Sequence, residues 1–428
     1  MAFPELLDSN NCRLDYEFGH VLLNYHQFAN TALSIRLLVD NMTYRETKWF
    51  RFLDDIMPAG SSRKYWINKL GLKDEKHLVR NFELLSKGTV APIGNLRIKE
   101  SVPDKVVNAI PVSFTIDDVC RLEVDFIEYA QTHGAAAGGA SGAGGAAPKL
   151  LVRCDENDCV WIDTFQDDPT NLDTRYLVKF ARGLKAIDKD ILRAEYHFYH
   201  ELTSLNFDTI SISKMRLEES EKGPSLWLPR FDTIVIDGRE QLLGMESVYS
   251  VLDEGPATAL HHGDVIRRLI STIQNPGANG TTETFLDDVD EKEAFIIEWV
   301  RRDLLNIAFG NSDNHGRNTS FIKRDNKISL SPIYDFAPMK ADPETITRTF
   351  TWGPELEKGG EYNYPAIAES LSDLIDPQRL MSELRDTANK LLGLRERLLK
   401  RGVPDSILNF PSMNYENLEN KFKRWNLL

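Results

Sequence analysis

Asp313, Asn318 and Asp335 are the side chains of this sequence whose types and spacing point most directly to chemistry. Asp313 and Asn318 lie in GNSDNHGRN, and Asp335 lies in IYDFAPM, where it is expected at the end of a strand. Phosphoryl transfer needs one carboxylate to orient the attacking hydroxyl. It also needs a second carboxylate and an amide oxygen to hold Mg2+ against the β- and γ-phosphates, because magnesium takes oxygen ligands. These three residues supply that set, with Asn318 and Asp335 as the metal pair. The plainer role of Asp and Asn in such a string is to build turns, and DNHGRN alone does not separate the two. His315 has three readings: a base, a metal ligand, or a buried loop histidine that holds backbone carbonyls, which is the commonest of them.

Upstream residues add weight to the chemical reading. Asp-x4-Asn followed by a later Asp is the order of a kinase catalytic loop and its metal site. The Gly-rich run GAAAGGASGAGGAAPK precedes two predicted strands. Glycines let backbone N–H groups approach phosphate oxygens, although Gly/Ala runs are more often linkers. The run lacks GKS or GKT and so is not a Walker A loop. Lys179, between Val178 and Phe180 in LVKF, is expected at a strand centre, reaching the α- and β-phosphates or, as an edge lysine, solvent. Glu195 on the next helix either pairs with Lys179 or is one more solvated charge. PRFD joins two apolar strands, as an adenine-binding hinge or as a simple hairpin.

The elements that must position these groups read as mixed α/β. GHVLLNY and ALSIRLLVD are strand candidates, followed by a helical stretch from Thr43 to Lys87 that includes WFRFLDDIM and YWINKLGL. VNAIPVSFTI is a further strand candidate, and IDDVCRLEVDFIEYAQTHG a helix. KLLVRC, CVWIDTF and YLVKFA read as strands, DKDILRAEYHFYHELTSL as a helix, and SLWLPRFDTIV and REQLLGMESV as strands about a turn. Beyond the loop NPGANGTTET come the helix EKEAFIIEWVRRDLLNIAF, the catalytic-type loop, the strand TSFIK and a mostly helical remainder. Its clearest helix is SELRDTANKLLGLRERLLKRG.

With 428 residues the chain holds roughly two or three domains, and 42% hydrophobic content is enough to bury a core without disulfides. A net charge of −14 works against nonspecific binding to phosphate backbones or anionic membranes. Cys154 and Cys159 have no second close Cys/His pair to complete a zinc site, so the four cysteines are expected as reduced thiols. The first residues lack a signal-peptide pattern and no apolar run nears the ~20 residues of a membrane span. A cytoplasmic location is expected.

In order, GGAAPK, LVKF, LRAE, LPRFD, GNSDNHGRNTSF and LSPIYDFAPM resemble the HipA family of bacterial toxin kinases. The resemblance is specific from Gly134 to about Pro338, looser toward Pro404 and in FLDDIMPAGSSRKYWINKLGL and FELLSKGTVAPIGNLRI, and finds no counterpart for the residues through Phe18. It implies an α+β, bilobal, protein-kinase-like fold with a mixed α/β N-terminal lobe and a mostly helical C-terminal lobe, distantly similar to phosphoinositide 3/4-kinases. The division it implies is an N-terminal subdomain over 1–120, a nucleotide-binding region over 121–235 and a helical lobe over 236–428. It implies transfer of the γ-phosphate of ATP, with Mg2+, to a Ser or Thr hydroxyl of a protein such as an aminoacyl-tRNA synthetase or translation factor, arresting growth. A helix-turn-helix antitoxin would restrain the enzyme, and neither nucleic acid nor membrane is an expected direct partner.

Carried over residue by residue, Asp313 matches the catalytic aspartate and Lys179 the ATP lysine. Pro229, Arg230 and Phe231 match the hinge, and Gly144, Gly145, Ala146, Ala147, Pro148 and Lys149 the nucleotide loop. His315, Asn318, Tyr334 and Asp335 complete the ATP-binding set, and Glu195 is the lysine's partner. Ser141 lies one residue too early, counting back from Lys149, for the family's autophosphorylated serine, and the glycine run is longer and richer in alanine than is usual. Two rival readings are a catalytically quiet ATP-binding scaffold and a metal-dependent nuclease using Asp313, His315 and Asp335.

Overall fold

The computed structural model describes residues 2–8, 11–25, 31–90, 92–101, 112–121, 149–162, 168–274, 286, 288–324 and 327–428. Its centre is a six-stranded antiparallel sheet in the order Ser113–Thr115, Cys159–Ile162, Lys149–Cys154, Thr174–Phe180, Gly223–Pro229 and Arg216–Ser220. Branched and aromatic residues dominate the inner strands, and Leu150, Val152, Val178 and Trp227 form an apolar cluster with Val119 on one face. The helix Ala186–Ser204 packs on the other face. Its buried positions, Ile191, Leu192, Ala194, Glu195, Phe198, Tyr199 and Leu202, recur at helical spacing. Buried Glu201 on that helix accepts from Arg397 and Arg401, each at 2.5 Å, which ties the sheet's helix to the C-terminal helices.

The second lobe is mostly helical and is built around Val289–Phe309. Asp288 caps its N-terminus by accepting from Glu291 N. Gly310 ends it in the left-handed region (φ 73°), where an added Cβ would overlap the Met413 side chain. The chain then enters GNSDNHGRN and leaves it through the strand Ser320–Arg324, the middle of a small sheet with Gly244–Ser247 and Lys327–Leu330. The expected C-terminal helix is two helices, Pro377–Lys390 and Leu394–Arg401, because Gly393 adopts φ 70° between them.

Two strand expectations near the N-terminus are corrected. GHVLLNY is helical over Phe18–Asn24, since the Glu17 carboxylate accepts from Gly19 N and His20 N and nucleates a turn that branched residues alone would not favour. ALSIRLLVD forms turns with one isolated bridge, Ser34 to Leu37. Its backbone is bound by charged side chains instead of a neighbouring strand: Ile35 N donates to Glu246 Oε2 at 2.8 Å, and Lys323 Nζ donates to the carbonyls of Ala32 and Leu33 at 3.2 and 3.0 Å. Of YWINKLGL, the residues through Lys69 are helical, in Gly60–Lys69, while WFRFLDDIM holds a short 3-10 turn, Arg51–Asp55. The helix expected from Ile116 runs to Cys120, and its remainder lies outside the described residues. No helix among the described residues is long and apolar enough to cross a membrane, and the cysteines are free.

Candidate active site

The strand Thr174–Phe180 lies between two others, so Lys179 is not an edge residue. It sits near the strand's end and is not at the centre expected for it. Its register partner on the neighbouring strand is Lys149. Two cations directly opposite each other in a sheet repel, and such a pair persists only where an anion lies between them. That anion is Asp335: Lys179 Nζ lies 2.5 Å from Oδ1 and Lys149 Nζ 3.4 Å from Oδ2. Lys179 also donates to Glu195 Oε1 at 2.7 Å, and Tyr199, one turn along the same helix, donates to that oxygen at 3.0 Å.

Burial alone would raise the Asp335 pKa, but the charges of Lys149 and Lys179 outweigh it and hold this carboxyl well below the usual carboxylate range. Burial would likewise lower the Lys179 pKa, and Asp335 and Glu195 drive it up instead. Lys149, facing Lys179 and farther from Asp335 than Lys179 is, is lowered, chiefly by burial. Asp335 does not lie at a strand end. The strand stops at Leu330, and the next residues are held by a bridge from Ile333 to Thr209. Asp335 itself takes φ 51°, a conformation that costs a non-glycine residue energy.

Asp313 faces these groups from the loop. Its backbone N–H donates to Asn311 Oδ1 at 3.1 Å, and its carbonyl accepts from Asn318 Nδ2 at 2.8 Å. Burial raises its pKa, opposed by His315 and reinforced by the Asp335 charge. Gly316 lies so close to Tyr249 that a Cβ would overlap the ring. A cavity of about 250 Å3 is lined by Lys149, Lys179, Arg182, Glu195, Asp313 and Asp335, among others. Beside it a narrower one of about 40 Å3, lined by Leu177, Leu228, Pro229, Arg230, Phe231 and Tyr334, shares Lys179 and Asp335. PRFD is not a hairpin: Gly223–Pro229 belongs to the large sheet, whereas Thr233–Ile236 pairs with Arg239–Leu242 in a separate one. Chemically, this is a partly closed cleft with two lysines for anionic oxygens, a carboxylate facing the same space, and an apolar slot alongside.

The HipA-like C-terminal domain model matches residues 141–392, more than half of the chain. This chain belongs to the HipA-like family. Its fold is that of HipA in the complex described as the Shewanella oneidensis MR-1 toxin–antitoxin system HipA, HipB and operator DNA. The TM-score is 0.65 at 14% identity, over 99% of this chain and 96% of that one. The Helicobacter pylori proinflammatory kinase CtkA also aligns, with a TM-score of 0.34 and 13% identity over 68% of this chain and 91% of that one. No curated protein sequence matches the chain. The bilobal α+β kinase-like architecture expected from the sequence is therefore the fold observed.

Set against the HipA-type expectations, the structure brings Asp313, Asp335, Lys179, Glu195 and Lys149 to one cavity. Lys149 begins the strand read as KLLVRC, at the position where the resemblance ends the nucleotide loop. Ser141, Gly144, Gly145, Ala146, Ala147 and Pro148 lie outside the described residues. Asn318 lines a separate pocket of about 20 Å3 with Asn306, Asn311 and Tyr334. Tyr334 faces the hinge with its ring, 5.3 Å from that of Phe231, while its hydroxyl donates to Arg317 O at 2.5 Å. His315 is buried against Tyr249 beneath Asp313.

Sequence reasoning missed Asn311 and Tyr199. Asn311 accepts from Asp313 N and places its Nδ2 3.5 Å from the Asp335 carbonyl, so it spans the two acids. Tyr199 was legible as the residue four after Glu195 on one helical face. Also missed was Asp303, which holds Arg348 at 2.7 Å and Trp352 Nε1 at 2.8 Å and has Asn314 Nδ2 at 3.4 Å. It anchors the loop from below.

Proposed function

We propose that this HipA-like chain is an ATP-dependent Ser/Thr protein kinase of toxin–antitoxin type. The observation that carries the reading is the pair of opposed lysines, Lys149 and Lys179, converging on Asp335 beside Asp313. A site that holds two cations face to face is suited to the several negative charges of a triphosphate. Lys179, fixed by Glu195 and Tyr199, contacts phosphate oxygens, with Lys149 next to it. Pro229, Arg230, Phe231 and Tyr334 flank the adenine. Asp313 accepts the proton of the acceptor hydroxyl as that oxygen attacks the γ-phosphorus, and the bond to the bridging oxygen of ADP breaks.

The donor chemistry of Asn318 and Asp335 fits magnesium. Asn318 Oδ1 is buried with no hydrogen-bond partner among the described residues, and an orphaned amide oxygen is a natural hard-cation ligand, although it lines a pocket next to the one that holds Asp335. Bound there, the ion would neutralise charge on the transferring phosphates. Among the described residues no cluster of three His, Cys, Asp or Glu side chains stands ready to hold a metal, so phosphate and water oxygens would complete the shell.

We assign the protein substrate to the synthetase or translation-factor class and the location to the cytoplasm. The proposed restraint is a helix-turn-helix antitoxin, a pairing supported by the HipA–HipB complex that the fold resembles. The divisions 1–120, 121–235 and 236–428 are the proposed functional units. The test is phosphoproteomics of cells expressing wild type or Asp313→Ala, with nucleotide binding measured on both purified proteins. Asp313→Ala is expected to lose all phosphosites and growth arrest while still binding ATP. Phosphosites that persist in Asp313→Ala would refute the assignment.

A further inference from the structure

His315 is buried inside the loop that carries Asp313, and its two ring nitrogens have different surroundings. Nδ1 accepts from the backbone N–H of Arg317 at 3.2 Å. An imidazole nitrogen that accepts has no proton, so in the neutral ring the proton is on Nε2. Nε2 lies 3.4 Å from Asp313 Oδ1, out of line for a full hydrogen bond, and has no other partner among the described residues. The ring lies nearly parallel to Tyr249, 6.3 Å away at 16°, which fixes its plane. A buried donor without a partner is costly, and the acceptor in front of it is a carboxylate oxygen.

We propose that His315 is a positioning residue, whose Nε2–H holds Oδ1 of Asp313 and leaves Oδ2 facing the acceptor hydroxyl. The inference rests on the kinase reading above and deepens it. His315 cannot take the hydroxyl proton in this arrangement, because Nε2 already bears one and Nδ1 is occupied by the loop's own backbone. The groups facing the ring are Asp313 and Asp335 on the acidic side, Arg317 on the basic side and the Tyr249 ring against its face. Burial comes first among the influences on its pKa, which is lowered and keeps the ring neutral near pH 7. Distances of this kind in a free enzyme tighten when substrate closes the site, so 3.4 Å is a resting value.

Two measurements on the full-length protein test this. The first is long-range 15N–1H NMR of histidine-labelled protein, with the signal assigned by its loss in His315→Gln. The expected spectrum is the Nε2–H tautomer near neutral pH, displaced when Asp313→Asn is introduced. An Nδ1–H tautomer, an imidazolium, or a signal indifferent to Asp313→Asn would overturn the proposal whether or not the chain is a kinase. The second is turnover with γ-labelled ATP. His315→Ala should lower kcat by about tenfold to a hundredfold with the KM for ATP unchanged, as expected when a catalytic group is misplaced. It should also move the acid limb of the pH profile upward. His315→Gln, which places an amide donor near the Nε2 position, should recover most of kcat and the limb. Equal losses in Ala and Gln with unaltered folding would overturn it. A wild-type protein that transfers no phosphate would refute the kinase reading alone, since the NMR result stands separately.

Discussion

Replacing Lys179 with methionine removes a cation from between two buried carboxylates and from the path of the nucleotide. Two losses follow, and they are separable. A lysine–phosphate contact is a charge-assisted hydrogen bond worth about 1.5–3 kcal/mol, so ATP affinity should fall by about one to two decades. The second loss is stability. Breaking a buried ion pair from one side costs about 3–5 kcal/mol, because the partner charge is left without compensation. Here Tyr199 still donates to Glu195 at 3.0 Å and Lys149 remains 3.4 Å from Asp335, which places the cost near the lower end of that range. In Lys179→Met with Glu195→Gln, the buried glutamate charge disappears as well, so the melting temperature should recover while ATP affinity does not. Calorimetric ATP titration and thermal melts of wild type, both single variants and the double variant close the cycle. If Lys179→Met bound ATP within about twofold of wild type and melted at the same temperature, neither the phosphate role nor the buried pair would stand.

Three further outcomes are expected. Because burial raises the Asp313 pKa, and because this group must be ionised to accept a proton, phosphate transfer should decline on acidification at a higher pH than an exposed aspartate would give, as read from kcat against pH. Asp55 is pushed up to about 7 by burial, so the folded state favours its protonated form. Its contribution to stability is full below the unfolded value near 3.8 and is lost as pH rises through about 7, a change of roughly 4 kcal/mol across the window. Asp55→Asn should therefore melt above wild type at pH 8 and close to it at pH 4, and parallel stability curves would contradict this. Incubation with ATP and Mg2+ should place phosphate on Ser141 and weaken ATP binding, since two added negative charges would compete with the triphosphate, as intact mass and peptide mapping would show.

How much could be read from the sequence depended on whether local pattern and tertiary contact agreed. The strand–helix–strand succession around Lys179 and Glu195 was legible because residue periodicity there coincides with burial. Glu195 lies on the apolar stripe of its helix, which places a charge where only a paired one survives. The Asp-x4-Asn spacing singled out the loop GNSDNHGRN, which lies between the helix Val289–Phe309 and the strand Ser320–Arg324. GHVLLNY and ALSIRLLVD were misread for different reasons: a Glu17 cap next to the first makes it helical, and Glu246 and Lys323 bind the backbone of the second from far along the chain. The Glu17 cap is a local signal that the reading passed over, whereas Glu246 and Lys323 lie more than 200 residues away and carry none. Asp335 was placed at a strand end because the apolar run ISLSPIY continues past Leu330, whereas the backbone leaves the sheet there and turns into the left-handed region. The opposition of Lys149 and Lys179 is a matter of register, which the spacing of residues along one strand does not encode.

That register also explains how a strained aspartate is kept in place. A non-glycine residue at φ 51° costs about 1–3 kcal/mol unless its surroundings over-determine it. Asp335 is held on every side. Its carboxylate is bound by Lys179 and Lys149 from the sheet, and its carbonyl lies 3.5 Å from Asn311 Nδ2 in the loop that bears Asp313. The next backbone N–H, of Phe336, donates to Tyr199 OH at 3.2 Å, and that hydroxyl donates to Glu195, which accepts from Lys179. These contacts form a closed ring through the sheet, the helix Ala186–Ser204 and the turn that bears Asp335. A change in the helix's position would pull Glu195 from Lys179 and Tyr199 from Phe336 together, so Asp335 would lose its lysine geometry and its backbone support in one step. Because these contacts share members, the loss of one weakens the support that the others give Asp335.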